Sequence, residues 1–270
     1  MFEGRRDTWA IAGNWGGMNC VGGAAVRYWL AEQGHPHPDI EVDISGNIPN
    51  AAYAMADQHY LGMKIWAEDL PLDPEFIRWD REGEILSVDR MVDHHFTKLR
   101  PLDEGAFARS NTKFFFATTH VRSKKTKYFT NEDVLQRGVE VREIIRAGTA
   151  LVGMTRHRPV KIGDDLFSDG ATSTDLNDCI QVALDAGAKF VVAIDSSPPV
   201  QREEFLKKFP SSGWTDKVAL LQPDFNAEMV TNDPEVLKRS FYASFRAASE
   251  HPLLREFFGD LVTSPRRTAL

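Results

Sequence analysis

The sequence predicts an α/β protein built on a mainly parallel sheet. Strands alternate with helices along the chain, as in sheets covered on both faces. Ala188-Lys189-Phe190-Val191-Val192-Ala193-Ile194-Asp195 is an apolar run of the kind buried in parallel sheets. The stretch from Ile40 to Asp57 passes from β-branched alternation through Ser45-Gly46-Asn47 into an alanine-rich helical pattern. A strand that breaks into a helix at a serine lifts the hydroxyl off the sheet edge. The helix N-terminus behind it offers N–H groups to a developing negative charge.

In chain order, Thr8–Ala12 reads as a short buried strand, followed by the glycine-rich turn Gly13–Gly23. Ala24, Ala25, Val26, Trp29 and Leu30 then mark the apolar face of a helix that stops near Gly34. Strand, glycine turn and helix together can converge backbone N–H groups on an anion. The turn fits neither G-x-G-x-x-G nor a P-loop, so it carries no dinucleotide signature. His35-Pro36-His37-Pro38 is a surface loop whose prolines hold the two rings apart, and His94-His95 are helix neighbours that do not face each other. Neither pair makes a metal site. Leu61–Gly105 is helical but interrupted by Pro71, Pro74 and Pro101, a covering region of helices and loops.

Thr112–Val121 is aromatic and β-branched, the pattern of a central strand. The basic turn Arg122–Lys125 and the strand Thr126–Phe129 make it a hairpin or meander. Asn131–Gly148 reads as one helix, capped by Thr130/Asn131, with apolar residues Val134, Leu135, Val139, Ile144 and Ile145. Two short paired strands, Pro159–Gly163 and Asp164–Phe167, deliver Ser168-Asp169-Gly170-Ala171 to a loop. Thr174–Gly187 is a further helix, Val218–Leu221 the last strand, and Asn232-Asp233-Pro234-Glu235 opens a long helix through Ala248. No linker or repeat divides the chain. Residues 1–270 are expected to form one domain, with 1–7 and 256–270 as frayed tails.

Composition narrows the class. A hydrophobic fraction of 42% supports a real core. A net charge of -7 without a basic stripe sets nucleic acid aside as a partner. Cys20 and Cys179 are too few for a disulfide framework or a cysteine-built metal site. The N-terminus lacks signal-peptide regions, and no apolar run reaches the ~20 residues of a spanning helix. A soluble, cytoplasmic protein is expected, with peripheral contact to a membrane left open and no signal for oligomeric state.

Three stretches, in order and spacing, resemble the patatin-like phospholipases of compact bacterial type. Their glycine turn corresponds to Trp15-Gly16-Gly17-Met18-Asn19-Cys20, their G-x-S-x-G elbow to Asp43-Ile44-Ser45-Gly46-Asn47, and their Asp-Gly-Gly/Ala element to Asp169-Gly170-Ala171. Phe116–Val121 and Ala183–Val192 also match, so the likeness runs from about Thr8 to about Ala248. The resemblance implies a three-layer α/β/α fold, a Ser45–Asp169 dyad without histidine, and hydrolysis of lipid or small esters without cofactor or metal. It places the oxyanion and substrate-binding set at Gly16, Gly17, Met18 and Asn19, with Gly46 as a further donor.

Four positions depart from the family. Asn19 stands for the turn's arginine and Trp15 for its first glycine, where a side chain can intrude on the oxyanion hole. Asp43 and Asn47 replace both elbow glycines, and Asp43 sets a carboxylate against negative charge developing nearby. Two functional readings follow. One is an active serine acyl hydrolase; the other is a weakened or inactive relative that binds a ligand or partner. A Ser45 that merely caps the following helix is the plain alternative.

Overall fold

The computed structural model describes residues 7–197 and 213–259. Alternation of apolar strands and helices produces a sheet in the order β5-β6-β3-β2-β1-β7-β8, with β4 also paired to β3. The strands are β1 (Trp9–Gly13), β2 (Ile40–Ile44), β3 (Lys113–His120), β4 (Thr126–Thr130), β5 (Val160–Ile162), β6 (Asp165–Asp169), β7 (Phe190–Ile194) and β8 (Val218–Leu221). The pairs among β3, β2, β1, β7 and β8 are parallel, whereas β4 and β6 run antiparallel to β3. The principal helices are α1 (Val21–Glu32), α2 (Asn47–Met55), α3 (Val141–Gly148), α4 (Leu176–Asp185), α5 (Pro234–Glu250) and α6 (Pro252–Phe258).

The two-residue period of the strands divides the core. Ala10, Ala12, Val42, Ile44, Val191 and Ala193 pack beneath Leu176, Cys179, Ile180 and Ala183 of α4. Trp9, Ile11, Phe116, Val192 and Ile194 face the opposite layer, which holds α1, α2, α3 and α5. This is the expected three-layer α/β/α arrangement with a mainly parallel sheet. Among the described residues, no helix is long and apolar enough to cross a membrane.

Register on β3 fixes where the loops meet. Ala117 lies between Ile44 and Tyr128, and Thr118 lies between Asp169 and Lys127. With β4 on one edge, β2 and β6 therefore share the other, end to end. The residue after Ile44 and the last residue of β6 are brought together by consecutive positions of one strand.

The covering region between α2 and β3 contains two π-helical segments, Ile65–Asp69 and Met91–Leu99, each continuing a short α-helix. Wide π turns occur often beside functional sites. Here they carry the buried Trp66 and Met91.

Two expectations are corrected. The helix expected over 131–148 is two helices, Asn131–Leu135 and α3, separated at Gly138 with φ 67°. Of the expected Thr130/Asn131 cap, Thr130 is the N-cap and forms a capping box with Asp133, but Leu135 is 61% exposed rather than part of an apolar face. The tail is also ordered further than expected. Helix α6 extends through Phe258, stacking Phe257 on Phe190 at 4.2 Å and setting Phe258 edge-on to Trp9 at 5.0 Å. These rings close the N-terminal ends of β1 and β7. Residues 1–6 and 260–270 of the expected tails lie outside the described residues.

Phe258→Ala removes this half-buried plug and is expected to cost about 1–3 kcal/mol, read as a lower urea midpoint with unchanged slope.

Candidate functional site

Strand β2 stops at Ile44, and Ser45 turns the chain with φ 55° before α2 begins. A left-handed conformation costs a non-glycine residue about 1–3 kcal/mol and persists only where its surroundings impose it. Half-buried, Ser45 donates its hydroxyl to Asp169 Oδ2 at 2.6 Å.

Asp169 ends β6 and is held from every side. Its N–H donates to Ala150 O at 3.0 Å, its carbonyl accepts from Thr119 Oγ1 at 2.9 Å, and its Oδ1 accepts from the Ala171 N–H at 2.8 Å. The next residue must be glycine, because a Cβ on Gly170 would stand 2.6 Å from Ala117 O. Burial pushes the Asp169 carboxyl up to about 7, against the pull of the Ser45 and Ala171 hydrogen bonds.

Ser45 opens on a small cavity of about 30 Å³, walled by Trp66, Phe76, Leu86, Val88 and Met91. A neighbouring space of about 20 Å³ reaches Trp15, Leu151, Met154, Asp169 and Met229. Trp15 thus forms a wall beside the dyad. Such volumes hold about one water each. A larger cleft, about 350 Å³, lies at the N-terminal ends of β2 and β3 among His37, Asp57, Arg109 and Thr112, at the opposite end from Ser45.

The residues expected as an oxyanion cradle divide into two groups. Gly17 and Gly46 border the cavity with Ser45, and the two turns touch, since a Cβ on Gly46 would lie 3.1 Å from Gly17 O. Gly17 has φ 55°, and a Cβ there would lie 2.4 Å from Met229 O. The others are committed elsewhere. The Met18 N–H donates to Met229 O at 2.9 Å, so it leaves the donor set although the residue borders the cavity. Gly16 packs on the Ser196 backbone, where a Cβ would meet Ser196 O at 2.2 Å. Asn19 is a buried brace: its Nδ2 donates to Ser196 O at 2.8 Å, and its Oδ1 accepts from the Ala227 N–H and Ser240 Oγ, both at 3.0 Å. It lines neither the Ser45 cavity nor the neighbouring space.

The missing elbow glycines are offset by a residue the sequence reading passed over. Arg27, buried in α1, donates to Glu41 Oε2 at 2.8 Å, to Asp43 Oδ1 at 2.6 Å and to Asn47 Oδ1 at 3.2 Å. Burial and the neighbouring Glu41 raise the Asp43 pKa, opposed by Arg27. Burial also works against the Arg27 charge, but the two carboxyls outweigh it and hold the guanidinium cationic. Asp43 therefore does not confront the serine as a bare carboxylate. Space for the larger elbow side chains comes from glycines on adjacent elements. A Cβ on Gly13 would stand 2.2 Å from Asp43 Oδ1, and one on Gly23 would stand 1.8 Å from Asn47 Oδ1. A readable signal existed: Glu41 and Asp43 share one face of an otherwise apolar strand, and two buried carboxylates need a buried cation.

No family model matches this chain, and no curated protein sequence matches it. Among solved structures, the crystal structure of VipD from Legionella pneumophila aligns with a TM-score of 0.57 at 8% identity. The alignment covers 94% of this chain and 67% of that one. This likeness carries the three-layer fold, in its patatin-like form, and not the chemistry.

Alanine for a helical glycine ordinarily stabilises. Here Gly23→Ala is expected to destabilise by about 2 kcal/mol, because Asn47 must leave Arg27. Asn47→Gly in the same chain relieves the clash, so thermal melts of the double-mutant cycle give a favourable coupling of about 1 kcal/mol or more.

Proposed function

We propose that the protein is a serine hydrolase of carboxylic esters, acting on lipid or small acyl substrates through Ser45 and Asp169. One observation carries the reading: a serine held at φ 55° donates at 2.6 Å to a buried carboxyl. A serine that served only as a helix cap would turn its hydroxyl to the first-turn N–H groups, yet the N-cap of α2 is Gly46 and the Ser45 hydroxyl is directed to Asp169. The family resemblance and the likeness to VipD support the same reading at the level of fold.

In this mechanism Ser45 Oγ attacks the ester carbonyl carbon while Asp169 takes its proton. The carbonyl π pair moves to oxygen, and the backbone N–H groups of Gly17 and Gly46 stabilise that oxyanion. Collapse expels the alcohol, which takes the proton from Asp169 and leaves an acyl-serine. Water then attacks the acyl carbon, giving a proton to Asp169; collapse breaks the acyl–Oγ bond, Ser45 Oγ takes that proton back, and the carboxylic acid departs. A carboxylate with an ordinary pKa is a weak base for a hydroxyl. A pKa near 7 makes Asp169 a stronger one while leaving it substantially ionised at neutral pH.

The loss of Met18 and Asn19 from the cradle favours a second reading, a weakened catalyst that binds a ligand or partner. A fluorophosphonate probe decides between them. Labelling is expected in the parent chain, absent in Ser45→Ala, and reduced by about 100-fold or more in Asp169→Asn. No serine-dependent labelling and no hydrolysis of p-nitrophenyl esters would leave only the binding role.

The pH dependence has a definite sign. Asp169 must be ionised to act as base, so kcat/KM is expected to rise with pH and level off above about 7. Stability moves the other way. The folded chain keeps the Asp169 proton where the unfolded chain has already lost it. This contribution is complete below the ordinary value of 3.8 and lost as pH rises to about 7. Asp169→Asn should therefore melt higher than the parent at pH 8, by the equivalent of about 2 kcal/mol, and lose that advantage at pH 4.

A further inference from the structure

The wall of the Ser45 cavity continues outward into a surface the hydrolytic mechanism does not use. Phe76 and Leu86 line the cavity and are 2% and 4% exposed. They lie at the base of a hairpin closed by the antiparallel bridge Ile77–Leu86, by Arg78 N–H donating to Ile85 O at 2.8 Å, and by Ser87 N–H donating to Phe76 O at 2.8 Å. At its outer end Trp79 is 62% exposed. A second segment runs alongside. Leu86 N–H donates to Met154 O at 3.2 Å, and a Cβ on Gly83 would lie 3.1 Å from His157 Nδ1. Leu151 and Met154 of this segment also face the dyad, and Val152 between them is 48% exposed.

Charge on this rim nearly cancels, four arginines against five carboxylates. Arg78 pairs with Asp80 and Glu75, Arg81 with Glu75, His157 with Glu84, and Arg156 with Asp89. Glu82 and Arg158 have opposite signs, and the whole chain carries -7. Such a rim is not drawn to an anionic surface. An exposed indole on a hairpin of nearly balanced charge suits the headgroup region of a neutral bilayer, where the ring is buried and its N–H stays among polar groups.

We propose that the hairpin 77–86 and the segment 151–158 seat the Ser45 end of the sheet on a zwitterionic lipid surface, with Trp79 as the inserted side chain. The purpose of the contact rests on the lipid-ester reading above; its binding test does not. Trp79 is an anchor and has no part in the chemistry.

Flotation of the full chain carrying Ser45→Ala with phosphatidylcholine vesicles tests the contact without turnover. Binding is expected, and adding Trp79→Ala should weaken it by about tenfold, as loss of one interfacial tryptophan implies. Trp79→Phe should restore most of it, and brominated lipid should quench less fluorescence from the Trp79→Ala chain than from its parent. With Ser45 intact, Trp79→Ala should hydrolyse soluble p-nitrophenyl butyrate at the parental rate. Equal flotation with and without Trp79 would overturn the proposal. So would no flotation at millimolar lipid, or binding that requires phosphatidylserine and disappears in salt. A chain that floats through Trp79 yet fails the fluorophosphonate test would lose the hydrolase reading and keep this one.

Discussion

The site depends on two strands meeting end to end along a third. Ile44 pairs with Ala117 and Asp169 with the adjacent Thr118, so β2 and β6 share one edge of β3 from opposite directions. Any residue following β2 must turn off the sheet where β6 terminates. Ser45 makes that turn with positive φ, and Asp169 receives its hydroxyl. The 2.6 Å contact is thus a consequence of strand register. Gly170 belongs to the same constraint, because the chain leaving β6 passes too close to the Ala117 carbonyl for a side chain.

Around that junction, size and charge have been redistributed. An elbow built on flanking glycines lets strand and helix cross closely. Here Asp43 and Asn47 occupy those places, and the small residues are Gly13 on β1 and Gly23 on α1. The side chains are not inert filling. They bind a buried guanidinium that is satisfied by two carboxyls, an amide and the Gly23 carbonyl. Removing one partner from such a group leaves an uncompensated buried charge, which typically costs about 3–5 kcal/mol. The cluster therefore ties α1, β2 and α2 to one another, and loss of either carboxyl is felt in all three.

Much of the sheet was legible because its strands carry period-two patterns and its connections carry strong stop signals. Trp9–Gly13, Ile40–Ile44, Phe190–Ile194 and Val218–Leu221 all fall within a residue or two of their expected places. Asn131–Gly148 was misread because apolar spacing persists across Gly138, and periodicity alone does not show that a glycine has adopted positive φ. Helix α6 was missed for a different reason: Phe257 and Phe258 are stabilised by rings from β1 and β7, distant in sequence. The pairing of Ser45 with Asp169 was reached through family resemblance, since 124 residues separate them and no local pattern links them. Arg27 escaped notice because it interrupts an apolar helix face, where a lone cation reads as an exception until its partners on β2 are recognised.

Burial raises both Asp169 and Asp43, yet the consequences differ. Asp43 lies beside a cation with which it forms a hydrogen bond, so Arg27 opposes the rise that burial and Glu41 impose. Among the described residues, no cation pairs with Asp169. Its shift arises from desolvation against two neutral hydrogen bonds, with no contribution from the Asp43 cluster. An unpaired carboxylate behind the elbow would add repulsion to both the ionised base and an oxyanion formed at Ser45. Arg27 removes that repulsion without entering the cavity. The raised pKa of Asp169 thus falls where it is chemically useful, and the stability lost on ionising Asp169 is the counterpart of its strength as a base.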